Sequence, residues 1–336
     1  MRPVLIFVAH FTASVLLVES VRRWALRRSV LDIPSHRSSH TAPTPRGGGV
    51  AIVLTLLPEM AVFSLRSRGW LYLTVAAAAV ALIGWIDDIR SVSVGPRLIV
   101  QLSAAIVVMV VFGPIRWIAL PGMDVSLGWF SVPLTLLWVA GLTNAYNFMD
   151  GIDGIAGAEG VAVAAGIAMI ASLTGRTDLA MFGVAIAGSC AGFLVHNWER
   201  ARIFMGDVGS SFVGFVFAGA AVSAGREREV TTYVVLFLVP FLFDSSFTFF
   251  RRLFRHENVL SAHRSHLYQR LTQSGLRHHQ VALLYCGMSL VEVATAAASA
   301  TGVSWSSIVA AVLMCTALWI FTVTMEHRSI RRRMLA

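Results

Sequence analysis

The sequence predicts an all-α protein: a polytopic transmembrane helix bundle of about eleven helices. Apolar runs recur along all 336 residues, the mean hydropathy is +0.72, and only 13% of the residues are charged. Only helices and closed barrels satisfy their backbone hydrogen bonds in lipid. The runs at 72–86 and 230–243 lack the alternation of apolar and polar residues that barrel strands require, so the spanning elements should be helices.

Each predicted helix corresponds to one hydrophobic segment of the chain. A spanning helix takes about 20 residues, and several segments are shorter, so we expect tilted helices and breaks near the fifth and ninth segments. The first segment has no small-residue cleavage site and is interpreted as a helix that stays in the protein. The segments form a single integral membrane domain over residues 1–336, and they cover residues 3–21, 48–65, 70–86, 98–113, 127–143, 155–173, 178–196, 209–224, 230–250, 281–301 and 304–326.

The distribution of arginine predicts the topology. Twenty of the 27 basic residues, all of them arginine, lie in the odd-numbered connections between segments or in the C-terminal tail. Positively charged loops stay in the cytoplasm, so we expect a periplasmic N-terminus and a cytoplasmic C-terminus. The net charge of +9 is spread over short loops instead of one soluble face, so no nucleic-acid partner is expected.

The odd-numbered connections also contain the unusual polar motifs of the chain. These motifs lie near residues 22–47, 87–97, 144–154, 197–208 and 251–280. A carboxylate in hydrocarbon costs about 2.5–3.5 kcal/mol on insertion scales, so acids beside membrane helices indicate a functional site. Because all five loops are expected on the cytoplasmic face, we predict one site that is assembled from loops on a rigid helical scaffold.

The first of these loops ends in Arg46 and three consecutive glycines, directly before the second segment. Glycines let backbone N–H groups, such as that of Gly48, approach an anion at the start of a helix. Arg46 and the loop residues His36, Arg37 and His40 would add positive charge to such an anion site. The alternative is an ordinary basic loop with a flexible hinge.

The second and third loops supply oxygen ligands for a cation. Asp87 and Asp88 stand at the end of the third segment, and adjacent carboxylates suit a metal ion or a general base, or else form a polar helix end. Magnesium prefers oxygen ligands and takes the remaining ones from water and substrate phosphates. In the third loop an amide or carboxylate recurs at every third residue: Asn144, Asn147, Asp150 and Asp153.

The fourth and fifth loops add one more carboxylate and a group of basic residues. Asp207 lies at the glycine-rich start of the eighth segment, where it suits a metal ligand or a helix N-cap. His263, Arg264 and His266 suit a diphosphate, which arginine binds through its forked guanidinium; a solvated basic face is the alternative. Asp244 in the ninth segment either belongs to the site or caps a helix break, and both readings stay open.

In this order the motifs resemble those of the polyprenyl-phosphate N-acetylhexosamine-1-phosphate transferase family, also called glycosyltransferase family 4. The resemblance covers the chain from about Asp32 to His279. It is specific because five ordered motifs match on one predicted membrane face. These motifs are Pro45-Arg-Gly-Gly-Gly49, Asp87-Asp88, Asn144-x-x-Asn147-x-x-Asp150-Gly-x-Asp153-Gly, Phe204-Met-Gly-Asp207-x-Gly-Ser210 and His263-x-x-His266.

Members of that family transfer a sugar-1-phosphate from a UDP-sugar to undecaprenyl phosphate and release UMP. The resemblance therefore implies an integral membrane transferase domain with a Mg²⁺ cofactor, which Mn²⁺ can replace. The implied partners are a UDP-N-acetylhexosamine, undecaprenyl phosphate and membrane lipid, and we also expect a homodimer. The implied location is the bacterial inner membrane, with the active site on the cytoplasmic face.

The resemblance also implies roles for residues of this chain. The residues expected to bind the metal are Asn147 and Asp207. The expected catalytic residues are Asp87, Asp88, Asp150, Asp153, His263 and His266. The expected substrate-binding residues are Arg46, Gly48, Arg97, Asn144 and Arg264.

The fifth motif favours one branch of the family. It lacks the triple-histidine run that is typical of the phospho-N-acetylmuramoyl-pentapeptide transferase of peptidoglycan synthesis, and it resembles the initiators of O-antigen, lipopolysaccharide and other surface polysaccharides. The pentapeptide transferase is the alternative within the family. A cation-coupled transporter is an alternative outside it, but transporters place such acids near the bilayer midplane and often contain internal repeats. A lipid phosphotransferase with a CDP-activated donor would need regularly spaced acids on one helix, a pattern that the sequence lacks.

Overall fold

A computed structural model describes residues 1–34, 42–225, 227–259, 263–299 and 302–335, and most of them are helical. The helices are α1 (Arg2–Arg27), α2 (Val50–Ser64), α3 (Arg68–Arg90), α4 (Val94–Phe112), α5 (Ser131–Met149), α6 (Ile155–Leu173), α7 (Thr177–Asn197), α8 (Asp207–Ser223), α9 (Arg228–Phe237), α10 (Val239–Phe254), α11 (Leu267–Gln273), α12 (His278–Ser299) and α13 (Trp305–Leu335). The strands are β1 (Leu31–Asp32), β2 (Thr44–Pro45), β3 (Trp117–Leu120) and β4 (Met123–Ser126), and a 3₁₀ turn covers Gly128–Phe130.

The described residues of the eleven predicted segments lie almost entirely in helices, which confirms the nearly all-α fold class. The ninth segment is broken as predicted, because α9 and α10 meet at Leu238 with a bend of 65°. Pro240, at the start of α10, has no backbone N–H to continue the preceding helix. The prediction of a break near the fifth segment was wrong: α5 is continuous, since Pro133 lies in its first turn, where backbone N–H groups have no helical partner.

Seven of the described helices are long and apolar enough to cross a membrane. They are α1, α3, α4, α6, α7, α12 and α13, and the bent pair of α9 and α10 counts as an eighth span if it is taken as one. The chain is therefore a multi-pass membrane protein. Helices α2 and α8 are apolar but contain only 15 and 17 residues. The predicted total of eleven spans and the predicted orientation of the termini stay predictions.

A β-hairpin between α4 and α5 is absent from the predicted elements. Strands β3 and β4 pair antiparallel around Pro121 and Gly122, and Gly122 has a φ of +75°. A Pro-Gly pair is a turn signal, so this hairpin could have been found in the sequence. The guanidinium of Arg228, at the start of α9, lies 4.7 Å from the centre of the Trp117 ring and attaches the hairpin to the bundle.

Helix α8 lies at the centre of the bundle, where it packs against α2, α3, α4, α5, α6 and α9. All its residues from Val208 to Val222 are buried. Two neighbours approach it through glycine, since an added Cβ would lie 2.3 Å from Gly209 Cα at Gly49 and 2.6 Å from the Asp207 carbonyl oxygen at Gly84. Glycine at these two positions lets α2 and α3 reach the start of α8, where Asp207 lies.

Gly49→Ala should therefore destabilise the protein by about 1–3 kcal/mol, because the new methyl group meets backbone atoms that cannot move aside. Thermal unfolding of the detergent-solubilised protein measures the effect. Gly287→Ala in α12 is the matched control, since a Cβ there meets nothing within 4 Å. Equal unfolding temperatures for the two variants would contradict the packing described for α8.

Candidate active site

Asp88 joins three of the predicted motif loops. Its carboxylate accepts hydrogen bonds from the backbone N–H groups of Asp207 at 2.9 Å and Val208 at 3.2 Å, and so it caps the start of α8. The guanidinium of Arg46 donates to the same carboxylate through Nε at 3.1 Å and through Nη2. The Asp88 side chain is 0% exposed, so it is a buried anchor and does not face the solvent side of the site.

Gly206 completes this anchor. It has a φ of +76°, a conformation that favours glycine, and an added Cβ would lie 2.4 Å from Asp88 Oδ2. The glycine that precedes Asp207 in the fourth motif is therefore required by the close approach of a carboxylate from α3.

Asp87 and Asp207 are held together by a single arginine. Arg97 Nη1 donates to one carboxylate oxygen of each residue, at 2.9 Å in both cases. The other Asp87 oxygen accepts a hydrogen bond from the backbone N–H of Val92. The side chains of Asp87 and Asp207 are 11% and 20% exposed, so both are accessible from the end of the bundle. This pair of accessible carboxylates is the centre of the candidate site.

The third motif lies beside this centre. Asn147 Oδ1 accepts a hydrogen bond from Ser210 Oγ at 3.2 Å, which attaches the end of α5 to α8. Burial raises the pKa of Asp150 well above its ordinary value, and the negative charges of Asp207, Asp88 and Asp153 raise it further. Asp150 is therefore a carboxyl group whose neutral form is favoured by burial and by the neighbouring carboxylates.

Asn144 has a structural role in this arrangement. Its Nδ2 group donates to Gln101 Oε1 at 2.6 Å and to the Ala140 carbonyl oxygen at 2.7 Å, so it links α5 to α4. Gln101 is missing from the predicted site residues, although it lies one helical turn after Arg97 and therefore on the same face of α4.

Asp153 connects the third motif to the fourth loop and to α12. Its Oδ2 accepts a hydrogen bond from the Ala201 N–H at 3.2 Å and lies 3.3 Å from His278 Nδ1. Next to it, His279 forms a hydrogen bond with Glu199 through its ring and another through its backbone N–H. Glu199 is a second residue that the sequence did not single out, and no spacing marks it in the fourth loop.

The glycine-rich loop lies against the fourth motif loop. The N–H of Gly48 donates to the Phe204 carbonyl oxygen at 2.9 Å, and the N–H of Gly49 donates to the Met205 carbonyl oxygen at 2.8 Å. Both N–H groups therefore have partners within the protein, and the assignment of Gly48 to substrate binding stays a prediction. The glycines attach the first motif to the fourth.

Arg46 remains part of the site as its second guanidinium. Burial disfavours its charged form, but the negative charges of Asp88 and Asp207 outweigh this effect and raise the pKa of Arg46. Its Nη2 lies 3.8 Å from Asp207 Oδ1. The three other charged or titratable residues predicted in this loop, His36, Arg37 and His40, lie outside the described residues.

The fifth motif packs against the third. The Tyr268 hydroxyl donates to the Phe148 carbonyl oxygen at 3.0 Å, and the His266 ring centre lies 6.4 Å from that of Phe148. The rings of His263 and His266 are 5.0 Å apart. Arg264 lies between them in the chain, and its carbonyl oxygen accepts a hydrogen bond from a glutamine of α11. All five predicted motif loops therefore meet at one end of the bundle.

Comparison with known proteins assigns this arrangement to a family. The model of the family described as Glycosyl transferase family 4 matches residues 70–225. A decaprenyl-phosphate N-acetylglucosaminephosphotransferase of Mycobacterium leprae (strain TN) is 33% identical in a match that covers 77% of this chain and 74% of the relative. The chain belongs to glycosyl transferase family 4. The predicted resemblance to its polyprenyl-phosphate sugar-1-phosphate transferases is confirmed.

Other family 4 relatives match different shares of the chain. A probable undecaprenyl-phosphate N-acetylglucosaminyl 1-phosphate transferase of Bacillus subtilis (strain 168) is 28% identical over 84% of this chain and 81% of its own length. A phospho-N-acetylmuramoyl-pentapeptide-transferase of Synechococcus sp. (strain JA-2-3B'a(2-13)) is 31% identical over 62% of this chain and 64% of its own length. The pentapeptide-transferase alternative is therefore the weaker one.

The oxygen donors of this family 4 site fit the implied Mg²⁺ ion. Within the described ranges, no cluster of three His, Cys, Asp or Glu side chains is arranged to hold a metal. Magnesium, however, commonly takes only one or two carboxylates from the protein and completes its shell with water and substrate phosphates. Asp207, Asp87 and the amide oxygen of Asn147 are donors of that kind, and the positively charged guanidinium of Arg97 lies between the two carboxylates.

Asp88→Asn should lower the stability of the protein by about 1–3 kcal/mol, because the partly buried Arg46 guanidinium and the start of α8 lose a charged acceptor. The control is Asp124→Asn in β4, since the ion pair of Asp124 with Arg228 is 38% exposed on both sides and surface pairs contribute little. Thermal unfolding in detergent compares the two variants. An equal effect in both would show that Asp88 is not the anchor of α8.

His263 should make the stability of the protein depend on pH. Burial, the neighbouring His266, and the positive charges of Arg252 and Arg251 lower the pKa of His263 from 6.5 to about 4. Between these values the unfolded chain binds a proton at His263 that the folded protein does not, so stability is lost as the pH falls from 6.5 towards 4. The unfolding temperature of His263→Gln should therefore fall less than that of the wild type over this range. Parallel curves for the two proteins would contradict the assignment.

Proposed function

We propose that this chain transfers N-acetylhexosamine-1-phosphate from a UDP-sugar to undecaprenyl phosphate and releases UMP. The observation that carries the proposal is the pair of accessible carboxylates, Asp87 and Asp207, that Arg97 holds together where all five family motifs meet. Two relatives named for N-acetylglucosamine and a polyprenyl phosphate support this reaction, and they favour UDP-N-acetylglucosamine as the donor.

The chemistry requires positive charge more than it requires a strong base. An oxygen of the lipid phosphate attacks the β-phosphorus of the UDP-sugar, the bond from that phosphorus to the bridging oxygen breaks, and UMP leaves with the bridging oxygen. The lipid phosphate is already ionised at neutral pH, so the direct attack is favoured over a route through an aspartyl-phosphate. Because both reactants are anions, neutralisation of charge dominates the barrier.

Different side chains of the site would neutralise charge and position the reacting groups. Arg97 and Arg46 provide fixed positive charge for the diphosphate, and Asp207, Asp87 and Asn147 would hold the Mg²⁺ ion. The ion, when bound, neutralises the phosphate oxygens. Asp150, whose pKa is raised by burial and by the neighbouring carboxylates, would donate a hydrogen bond to a phosphate oxygen in its neutral form. Asp88 keeps these groups in register by anchoring the start of α8.

The location follows from the predicted topology. Loops rich in arginine would place the site on the cytoplasmic face of the bacterial inner membrane, where UDP-sugars are available. The role in starting a surface polysaccharide such as O-antigen stays a prediction, as does the homodimer.

The test is transfer of labelled sugar-1-phosphate to undecaprenyl phosphate by the purified protein in detergent or proteoliposomes. The donors are UDP-N-acetylglucosamine, UDP-N-acetylgalactosamine and UDP-N-acetylmuramoyl-pentapeptide, each with Mg²⁺, with Mn²⁺ and with excess chelator. We expect metal-dependent lipid product and UMP from UDP-N-acetylglucosamine. Product from the pentapeptide donor alone would establish the alternative transferase, whereas cation flux without any lipid product would favour a transporter.

Asp207→Asn should lower the turnover number by about 100-fold or more while the protein stays folded, because a neutral amide is a weak cation ligand and no longer balances Arg97. The backbone N–H of residue 207 still donates to Asp88, so the unfolding temperature should change little. Asp124→Asn is again the control, because its carboxylate lies in the β3–β4 hairpin, apart from the motif loops. Substantial residual turnover in Asp207→Asn would remove Asp207 from the metal site.

A further inference from the structure

Asp244 is a fully buried carboxylate whose role the sequence left open. It lies in α10 and is 0% exposed, yet it caps a different helix. The backbone N–H of Leu267 donates to its Oδ1 at 2.8 Å and that of Tyr268 to its Oδ2 at 2.9 Å. These are N–H groups at the start of α11, which have no partner within that helix. Asp244 therefore fixes where α11 begins.

The same carboxylate binds the side chain of His266, the residue that precedes α11. His266 Nδ1 lies 3.2 Å from Asp244 Oδ1. An ionised carboxylate only accepts hydrogen bonds, so Nδ1 carries a proton in this contact, and in the neutral form of the ring the lone pair would lie on Nε2. Asp244 thus holds the ring through Nδ1, and the side chain of Gln269 holds the backbone of the same residue by accepting its N–H at 3.3 Å.

The surroundings of the ring fix its direction as well. The His266 ring lies between those of His263 at 5.0 Å, Tyr268 at 5.7 Å and Phe148 at 6.4 Å, measured between centres. Phe148 stands two residues before Asp150 in the third motif loop. The packing of α11 on this loop is close, because an added Cβ at Gly151 would lie 2.0 Å from the Tyr268 hydroxyl. His266 therefore has little room to turn and lies beside the candidate site.

We propose that Asp244 is a positioning residue of the transfer reaction: it holds His266 in the Nδ1–H tautomer and presents Nε2 to the substrate phosphates beside the third motif loop. The inference rests on the proposed function. Carboxylates that accept a ring N–H of a metal-binding histidine set its tautomer and orientation, and their loss typically costs about 10–100-fold in metal affinity or activity. A simple helix cap would need no bond to the ring.

A double-mutant cycle in the transfer assay distinguishes positioning from scaffolding. Asp244→Asn presents an amide N–H₂ group to the ring and should lower the turnover number by about 10–100-fold, as should His266→Gln. If Asp244 acts through His266, the double variant should be no slower than the slower single variant. Losses that multiply in the double variant would overturn the proposal.

Tyr285→Phe is the matched control for Asp244→Asn. The Tyr285 hydroxyl donates to Asp244 Oδ2 at 2.6 Å and is bonded to the carboxylate oxygen that does not contact His266. Its removal weakens the same buried carboxylate site without changing the acceptor for the ring. The turnover number of Tyr285→Phe should stay within about 3-fold of the wild type, whereas a loss equal to that of Asp244→Asn would point to scaffolding alone.

The tautomer can be measured without any turnover. In protein labelled with ¹⁵N-histidine, at a pH well above the ordinary imidazole pKa of about 6.5, the signal lost in His266→Gln identifies this ring. We expect a protonated Nδ1 and an unprotonated Nε2 in the wild type. A protonated Nε2 there would overturn the proposal even if Asp244→Asn fails to fold. If the wild type transfers none of the sugars, the proposed function fails, and the tautomer still decides whether Asp244 sets the state of His266.

Discussion

The start of α8 is buried, and its need for hydrogen-bond acceptors organises the whole site. A helix that enters the centre of an apolar bundle exposes N–H groups that water cannot reach, so the protein must supply their partners. Asp88 supplies them from the end of α3 and at the same time pairs with Arg46 from the first loop. One carboxylate therefore links the first, second and fourth motifs. The position of Asp207, the next group outward, depends on it.

The charges around this anchor nearly compensate each other, and this balance bears on the proposed substrates. Three carboxylates, those of Asp87, Asp88 and Asp207, meet two guanidiniums, those of Arg46 and Arg97. In a partly buried region such charges are tolerated only when they compensate each other closely. A diphosphate that enters adds negative charge, which makes a divalent cation favourable at the same place. This balance of charge supports the proposal that an anionic substrate and a divalent cation bind together.

Asp244 has the same structural role as Asp88, on the other side of the site. Each of these buried carboxylates belongs to one helix and caps the start of another. Each also binds a side chain from a motif loop. Irregular backbone near a membrane is stable only where the protein itself satisfies the polar groups. These two carboxylates meet that requirement for α8 and α11. The loops between helices can therefore be irregular and still hold their side chains in fixed positions.

The motifs that carry the candidate site were predictable because their residue types are chemically unusual beside apolar helices. Asp87, Asp207 and Arg97 stand out in a chain with few charges, and their order identified the family. Which of these acids is buried as a helix cap and which is exposed in the site was not predictable. Asp87 and Asp88 are neighbours in sequence, but successive residues of a helix point about 100° apart, so one faces the solvent side and the other the interior. Asn144 and Gly48 were similarly assigned to substrate, whereas their hydrogen bonds lie within the protein.

The sequence by itself determined the helices, the break at α9 and α10 and the family, because apolar segment length, proline and ordered motifs are local properties of the chain. Only the tertiary structure decided which acids are anchors and which are accessible. That distinction depends on contacts between residues far apart in the chain, such as Asp88 with Val208 and Asp244 with His266. A carboxylate that lies against the N–H groups of a helix start caps that helix, whereas one that faces solvent can bind a ligand. The local sequence does not determine which of these surroundings a carboxylate will have.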